Sequence, residues 1–278
     1  MKKIVLTGAS GRLGSRLREM LAAKADVLVS TDIREPDFEL LSNEKFVVAD
    51  LSDFKVMRDI IDGAEMVVHF GAIVDDGPFD ELLGPNFIGS YNVWEAAYQT
   101  GARRVIYASS IHAVGLYPKT EFIDNSVPHR PDSFYGLSKC FTEDLGKMYW
   151  EKRNLESVHL RIYSCAEVNN ARMLGSWLSY DDLIHLVERS VDSVITGFTI
   201  CYGVSNNDRV TVDNSNASFL GYRPKDNAEQ YAEEILANEP KQDPTDPTHI
   251  CQGGIFGSNP LGQGVVGAMG IVDTNEDT

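Results

Sequence analysis

The sequence predicts an α/β fold, a doubly wound parallel sheet with a small C-terminal lobe, and three observations carry that expectation. Short apolar runs and amphipathic stretches alternate six times before residue 164. A glycine-rich turn joins the first run to the first amphipathic stretch. After Ser164 the rhythm stops and loops take over.

The elements follow in order. "KKIVLTG" is a short apolar run closed by glycine, a buried strand. "RLGSRLREMLAAK" sets Leu13, Leu17, Met20 and Leu21 at helical spacing. "DVLVSTD" and "KFVVADL" are the second and third strands. "FKVMRDIIDG" is a helix stopped at Gly63. "EMVVHFGA" is the fourth strand, "IGSYNVWEAAYQTG" a helix ended by Gly101, and "RRVIYASS" the fifth strand. A long helix runs from about Ser133 to Lys152, and "SVHLRIYS" is the sixth strand. A helix after each strand makes the connections parallel crossovers. Beyond Ser164, "GFTICYGV" reads as one strand returning to the sheet and "YRPKDNAEQYAEEILA" as a late helix. "PKQDPTDPT" is a proline and aspartate linker, and residues 263–278 are small and polar, an expected disordered tail.

Composition narrows the partners. Asp and Glu number 41 against 25 Lys and Arg, a net charge of −16. That balance argues against nucleic acid and against an anionic membrane surface. Adaptation to high salt, where self-repulsion is screened, is one reading of it. No apolar stretch is long enough to span a membrane, and the apolar run in "MKKIVLTGAS" is too short for a signal peptide, so the cytoplasm is the default expectation. Cys140, Cys165, Cys201 and Cys251 are far apart with no C-x-x-C, which predicts buried thiols and no metal site.

Gly8, Gly11 and Gly14 form G-x-x-G-x-x-G between the first strand and first helix. Glycines there let the backbone approach a pyrophosphate whose charge the helix N-terminus favours. Residues 1–164 therefore read as a dinucleotide-binding domain and 165–262 as a substrate-binding lobe. Asp32 ends the second strand, where an acid accepts hydrogen bonds from the adenosine ribose and repels a 2′-phosphate; this favours NAD. Arg34 pulls partly the other way, keeping NADP as the second option. Asp50, ending the third strand, is placed to meet the adenine amino group.

"DSFYGLSKCF" puts Tyr135 and Lys139 on one helical face. A phenol titrating near 10 is a poor base at neutral pH, and a neighbouring ammonium favours its phenolate. Such a pair accepts the proton of an alcohol while hydride leaves for a nicotinamide, with a hydroxyl from "YASS" completing the set.

These features together resemble the short-chain dehydrogenase/reductase superfamily with its Rossmann sheet. "YASS", "AVG" and "LRIYS" are similar to its extended branch. The resemblance implies Ser110, Tyr135 and Lys139 as the catalytic set, with Lys139 also on the nicotinamide ribose. It implies cofactor contacts from Gly8, Ser10, Gly11, Arg12, Leu13 and Gly14 in the first turn, and from Asp32, Ile33, Arg34, Asp50 and Leu51 beyond it. Gly71, Ala72 and Ile73 follow the fourth strand, and Asn86 and Ile162 complete that set.

A closer resemblance covers nearly the whole chain. "SSIHAVGLYPKTE", "RPDSFYGLSKCF", "NNARMLGSWLSYDD", "DNSNASFLGYRPKDNAE" and "QGGIFGSNP" resemble the uronate dehydrogenase family. That resemblance implies NAD(P)-linked oxidation at the anomeric carbon of galacturonate or glucuronate. It places Arg172 on the sugar carboxylate and His112, Ser164 and Phe256 at the substrate. Local pairing of Arg172 with Asp181 or Asp182 is the competing expectation. Three positions depart from the family. Ile111 stands for an asparagine and Val74 for a serine, both replacing polar sugar contacts, and Tyr163 stands for a glycine. An altered pocket keeps a neutral aldose such as L-arabinose or D-galactose open, as in halophilic aldose dehydrogenases of this branch. A nucleotide-sugar epimerase or dehydratase is the further alternative. It wants a larger lobe and basic residues after position 170, which the sequence does not display. A homo-oligomer paired through helices 86–99 and 133–152 is expected, with Trp94, Tyr98, Met148 and Tyr149 supplying apolar surface.

Overall fold

The computed structural model describes residues 1–240 and 243–265. Its strands are β1 (Lys3–Thr7), β2 (Val27–Asp32), β3 (Glu44–Val48), β4 (Met66–His69), β5 (Arg104–Tyr107), β6 (Ile123–Asp124), β7 (Glu156–Ile162), β8 (Phe198–Gly203) and β9 (Val212–Asp213). Its helices are α1 (Gly14–Ala22), α2 (Phe54–Ile61), α3 (Phe79–Leu82), α4 (Gly89–Thr100), α5 (Phe134–Arg153), α6 (Met173–Ser176), α7 (Tyr180–Asp192), α8 (Ala232–Asn238) and α9 (Pro247–Ile250).

Seven strands form one parallel sheet in the order β3-β2-β1-β4-β5-β7-β8, and β6 pairs with β9 in a separate two-stranded sheet. The order reverses between β1 and β4, which opens a crevice beyond their carboxyl ends. β4, β5 and β7 are buried along their full length, as strands covered on both faces must be. On one face Leu17 and Leu21 of α1 pack with Leu183, Leu186 and Val187 of α7. On the other, Met57 and Ile60 of α2 join Val93, Trp94 and Ala97 of α4 and Leu145 and Tyr149 of α5. The segment after Ser164 thus supplies a strand and a covering helix to the sandwich.

Two expected boundaries shift. The late helix of "YRPKDNAEQYAEEILA" forms only from Ala228 onward, because Asn227 is extended and its side chain accepts the Glu229 N–H as a cap. Residues 263–265, expected in the tail, are ordered: the Val265 amide donates to the Asp75 carboxylate at 2.8 Å, and Val265 is buried beside Tyr135 and Phe256. The rest of that expected tail, 266–278, lies outside the described residues.

Trp94 and Tyr149 lie in the core, so they supply no surface for a partner. Tyr98 and Met148 are exposed.

Candidate active site

The crevice begins at the β1–α1 turn. Gly8 has φ +72, and a Cβ there would meet the backbone of Phe70 and Gly71 at 2.5 Å. At Gly14 a Cβ would sit 2.0 Å from the Gly8 carbonyl oxygen. The turn therefore closes tightly against β4, and no side chain caps the first turn of α1. An uncapped helix start facing a crevice suits an anion.

Asp32 closes the floor beside it. Its carboxylate accepts the Ser10 N–H at 3.0 Å and the Arg34 N–H at 3.3 Å, tying the glycine turn to the end of β2. A carboxylate has about four acceptor sites, so two such bonds leave room for ribose hydroxyls. Ile33 and Arg34 are exposed beside it. The Asp50 carboxylate instead folds back on Ser52, accepting its N–H and hydroxyl at 2.8 Å. The Arg12 guanidinium reaches across to the Cys165 carbonyl and the Tyr180 hydroxyl, while Leu13 packs against the α1–α7 core. The buried Asn86 clasps Ile73 through both backbone groups at 2.9 and 3.0 Å and donates to Ser138 at 3.2 Å. It braces the turn after β4 against α5. Gly71 donates its N–H to Thr7, and Leu51 packs against Gly71 and partly covers this end.

Tyr135 and Lys139 enter from the first turns of α5. Ser133 starts that helix by accepting the Gly136 N–H at 2.9 Å. Asp76 accepts the Tyr135 N–H at 3.2 Å through one oxygen and the Gly262 N–H at 2.9 Å through the other. The C-terminal segment is thereby pinned over the site. The Ser110 hydroxyl lies near enough to the Tyr135 phenol to lower its pKa. Ser110 lies beyond β5, bridged to Ile162 of β7, and also accepts the His112 N–H at 3.2 Å. Lys139 donates to the Ala108 carbonyl at 2.9 Å and stands 5.1 Å from the Tyr135 ring centre.

The electrostatics differ from the sequence expectation in one respect. Burial pushes the Tyr135 phenol up to about 12, the nearby Ser110 hydroxyl opposes this, and Asp132 and Asp75 add to the rise. Burial also pulls the Lys139 ammonium down to about 7 against the attraction of Glu143. Burial therefore outweighs the lowering that the Tyr135–Lys139 spacing predicts. Beneath the pair, the Glu143 carboxylate is held far below its usual range, its burial outweighed by Arg161 and His129. It accepts Arg161 at 3.0 and 2.8 Å and Ser109 at 2.6 Å, locking α5 to β7 and to the end of β5.

Of the remaining sequence-derived residues, His112 and Phe256 meet the Tyr135 ring, Arg172 joins Ser164, and one turns away as an exception. His112 is buried, stacks on Phe256 with ring centres 3.9 Å apart, and meets the Tyr135 ring edge-on at 5.7 Å. Its Nδ1 is 2.7 Å from the Asp132 carboxylate, which fixes the ring; in the tautomer that donates Nδ1–H to Asp132, Nε2 is an acceptor. Arg172 donates to the Ser164 hydroxyl at 2.8 Å, the Ser176 hydroxyl at 3.4 Å and the Gln252 carbonyl at 2.7 Å. Neither Asp181 nor Asp182 pairs with it; Asp182 accepts from Ser205, Lys225 and Asp226 instead. Among the described residues no carboxylate forms an ion pair with Arg172. The exception is Ile111, which is 1% exposed and packs with Val114, Ile123 and Tyr202 in an apolar cluster. Its side chain is a core contact and not a lost partner for a sugar hydroxyl. Val74 is exposed, and the Tyr163 hydroxyl donates to the Gln252 side chain at 3.0 Å.

Asp132, Asp75, Asp76 and Glu143 were missed in the sequence, though Asp132 stands three residues before Tyr135 in "RPDSFYG".

The family model for the NAD dependent epimerase/dehydratase family matches residues 4–166. The chain belongs to that family. It is 42% identical over 255 residues to a uronate dehydrogenase of Pseudomonas putida, covering 91% of this chain and 95% of the relative. The crystal structure of the uronate dehydrogenase from Agrobacterium tumefaciens, a tyrosine-to-alanine mutant complexed with NAD, superposes with a TM-score of 0.89 at 42% identity, covering 94% and 98% of the two chains. That of a glucuronic acid dehydrogenase from Chromohalobacter salexigens gives 0.90 at 38% identity, covering 93% and 97%. With uronate dehydrogenases 42% identical over most of its length, the chain is an NAD-dependent oxidoreductase, and its crevice suits the cofactor. The uncapped start of α1 suits the pyrophosphate, and the spare acceptor sites of Asp32 suit the ribose.

Proposed function

We propose that this protein oxidises C1 of a free hexuronic acid, galacturonate or glucuronate, to the lactone. The observation that carries this reading is Arg172: a guanidinium with no carboxylate partner among the described residues, bonded to the Ser164 hydroxyl. A planar fork of donors suits a carboxylate. With the uronate carboxylate there, the anomeric hydroxyl comes to Ser110 and Tyr135. Ser110, near the phenol, orients it, and Tyr135 takes the anomeric proton. Lys139, held by the Ala108 carbonyl, supplies a positive charge when protonated that favours the phenolate. His112, aligned by Asp132, accepts a hydrogen bond from a ring hydroxyl. Phe256 and Val265 exclude water from above. Bound NAD supplies the hydride acceptor.

The same reading places the reaction in the cytoplasm, in a homo-oligomer paired through α4 and α5. Exposed Tyr91, Tyr98, Leu137 and Met148 on those helices favour the pairing. The test of function is NADH formation with galacturonate and with galactose, before and after Arg172→Met. Fast uronate turnover that falls at least about a hundredfold in the variant supports the reading. Turnover of galactose alone, indifferent to Arg172, would replace it with a neutral aldose dehydrogenase.

A further inference from the structure

Arg172 and Ser164 also line a cavity of about 790 Å³. Ligand pockets span about 300 to 1,000 Å³ and take whole drug-sized molecules, so this space exceeds what one carboxylate needs. Lys119 stands in its wall, with its backbone N–H fixed by the Ile250 carbonyl at 2.7 Å. Among the described residues the Lys119 ammonium has no hydrogen-bond or ion-pair partner. Burial and the nearby Arg172 charge pull its pKa down to about 8, a cost that a bound anion would offset. Gln252, 2% exposed and in the same wall, accepts from Tyr163 and Thr211 through its oxygen, yet its amide nitrogen has no partner. Arg209 in the lining is tied to Glu229, and Glu239 is the carboxylate in the lining, accepting the Ala171 N–H. Unused donors and an unpaired cation on one cavity call for an acceptor-rich, negatively charged occupant. The chain's net charge of −16 sets a field against anions, so local cations are what would hold one.

Resting on the uronate reading above, we propose that this cavity is a second sugar subsite. It takes the next residue of a short oligouronide whose reducing end occupies the Tyr135–Arg172 site, with that residue's carboxylate against Lys119. C1 oxidation requires a free anomeric hydroxyl, so an extension filling the cavity must hang from a carbon other than C1. A nucleotide sugar is blocked at C1 and does not meet that requirement.

The experiment compares NADH formation from galacturonate and 4-linked digalacturonate in the wild type, Lys119→Met and Lys119→Arg. The expected result is turnover of both substrates by the wild type. Lys119→Met then lowers kcat/KM for the dimer about tenfold more than for the monomer, and Lys119→Arg restores the ratio. Oxidation of the monomer without the dimer overturns the subsite and leaves the uronate reading standing. Equal loss on both substrates, or none on either, also overturns it, because the lysine then serves entry or nothing. No turnover of either substrate removes the uronate reading and the subsite with it. Failure of the wild type to oxidise the dimer overturns the subsite even where Lys119→Met does not fold.

Discussion

Replacing Lys139 by methionine should abolish activity and yet stabilise the protein. Lys139 is 2% exposed, and its one strong partner is a neutral carbonyl, Ala108. At about 1.4 kcal/mol per pH unit, a fall from 10.5 to about 7 corresponds to a charging cost of roughly 5 kcal/mol in the folded state. The sign follows from proton counts. Below pH 7 both folded and unfolded chains carry the proton, and the full cost weighs on folding. Between 7 and 10.5 the unfolded chain holds the proton and the folded one has lost it, so stability rises with pH. Methionine fills a similar volume without charge. The lost bond to Ala108 and the lost cation contacts with Tyr107 and Tyr135 take back part of the gain. A net stabilisation of about 1–3 kcal/mol at pH 6 remains, a rise of several degrees in Tm. Thermal melts of both proteins without cofactor, from pH 6 to 9, check this: the methionine variant leads most at pH 6, and its lead shrinks above pH 7. A variant less stable than wild type at pH 6, or a lead that does not change with pH, would refute the reasoning.

Asp132→Asn should lower kcat by about 10- to 100-fold, because the amide no longer fixes His112 as the carboxylate does. Asp132 also raises the Tyr135 pKa, so the ascending limb of the pH–rate profile, set by loss of the Tyr135 proton, should move to lower pH, a change that a merely structural role would not produce. Gly14→Ala puts a methyl group 2.0 Å from a backbone oxygen that cannot step aside, and should cost about 1–3 kcal/mol in a melt and raise KM for NAD. Asp32→Ala should reduce kcat/KM with NAD by about 10- to 100-fold and with NADP by less, measured as the ratio of the two.

The sheet, its parallel order and the motif positions were legible because they rest on local periodicity and on short stretches such as "LTGASGRLG" and "YGLSK". What was not legible depends on contacts between distant segments. Asp75 and Asp76 look like surface acids in "VDDGP", and only the returning chain at Gly262 and Val265 gives them partners. Lys119 and Arg172 lie far apart in sequence and share a cavity, which is why no basic cluster showed after position 170. Ile111 read as a lost sugar contact because a motif position does not say which way a side chain points; burial turns it into the core. The Tyr135–Lys139 spacing was plain, but the charge state of the pair was not. Burial is a tertiary property, and here it outweighs the attraction expected from spacing alone.

The central claim, hydride loss from C1 of a uronate, is tested most directly with galacturonate carrying deuterium at C1. The account predicts that NADH accumulates in step with substrate consumed, that it carries the deuterium, and that the sugar product is a lactone without it. Conversion of the sugar with deuterium retained at C1 and no accumulation of NADH would contradict the account and point to chemistry at another carbon.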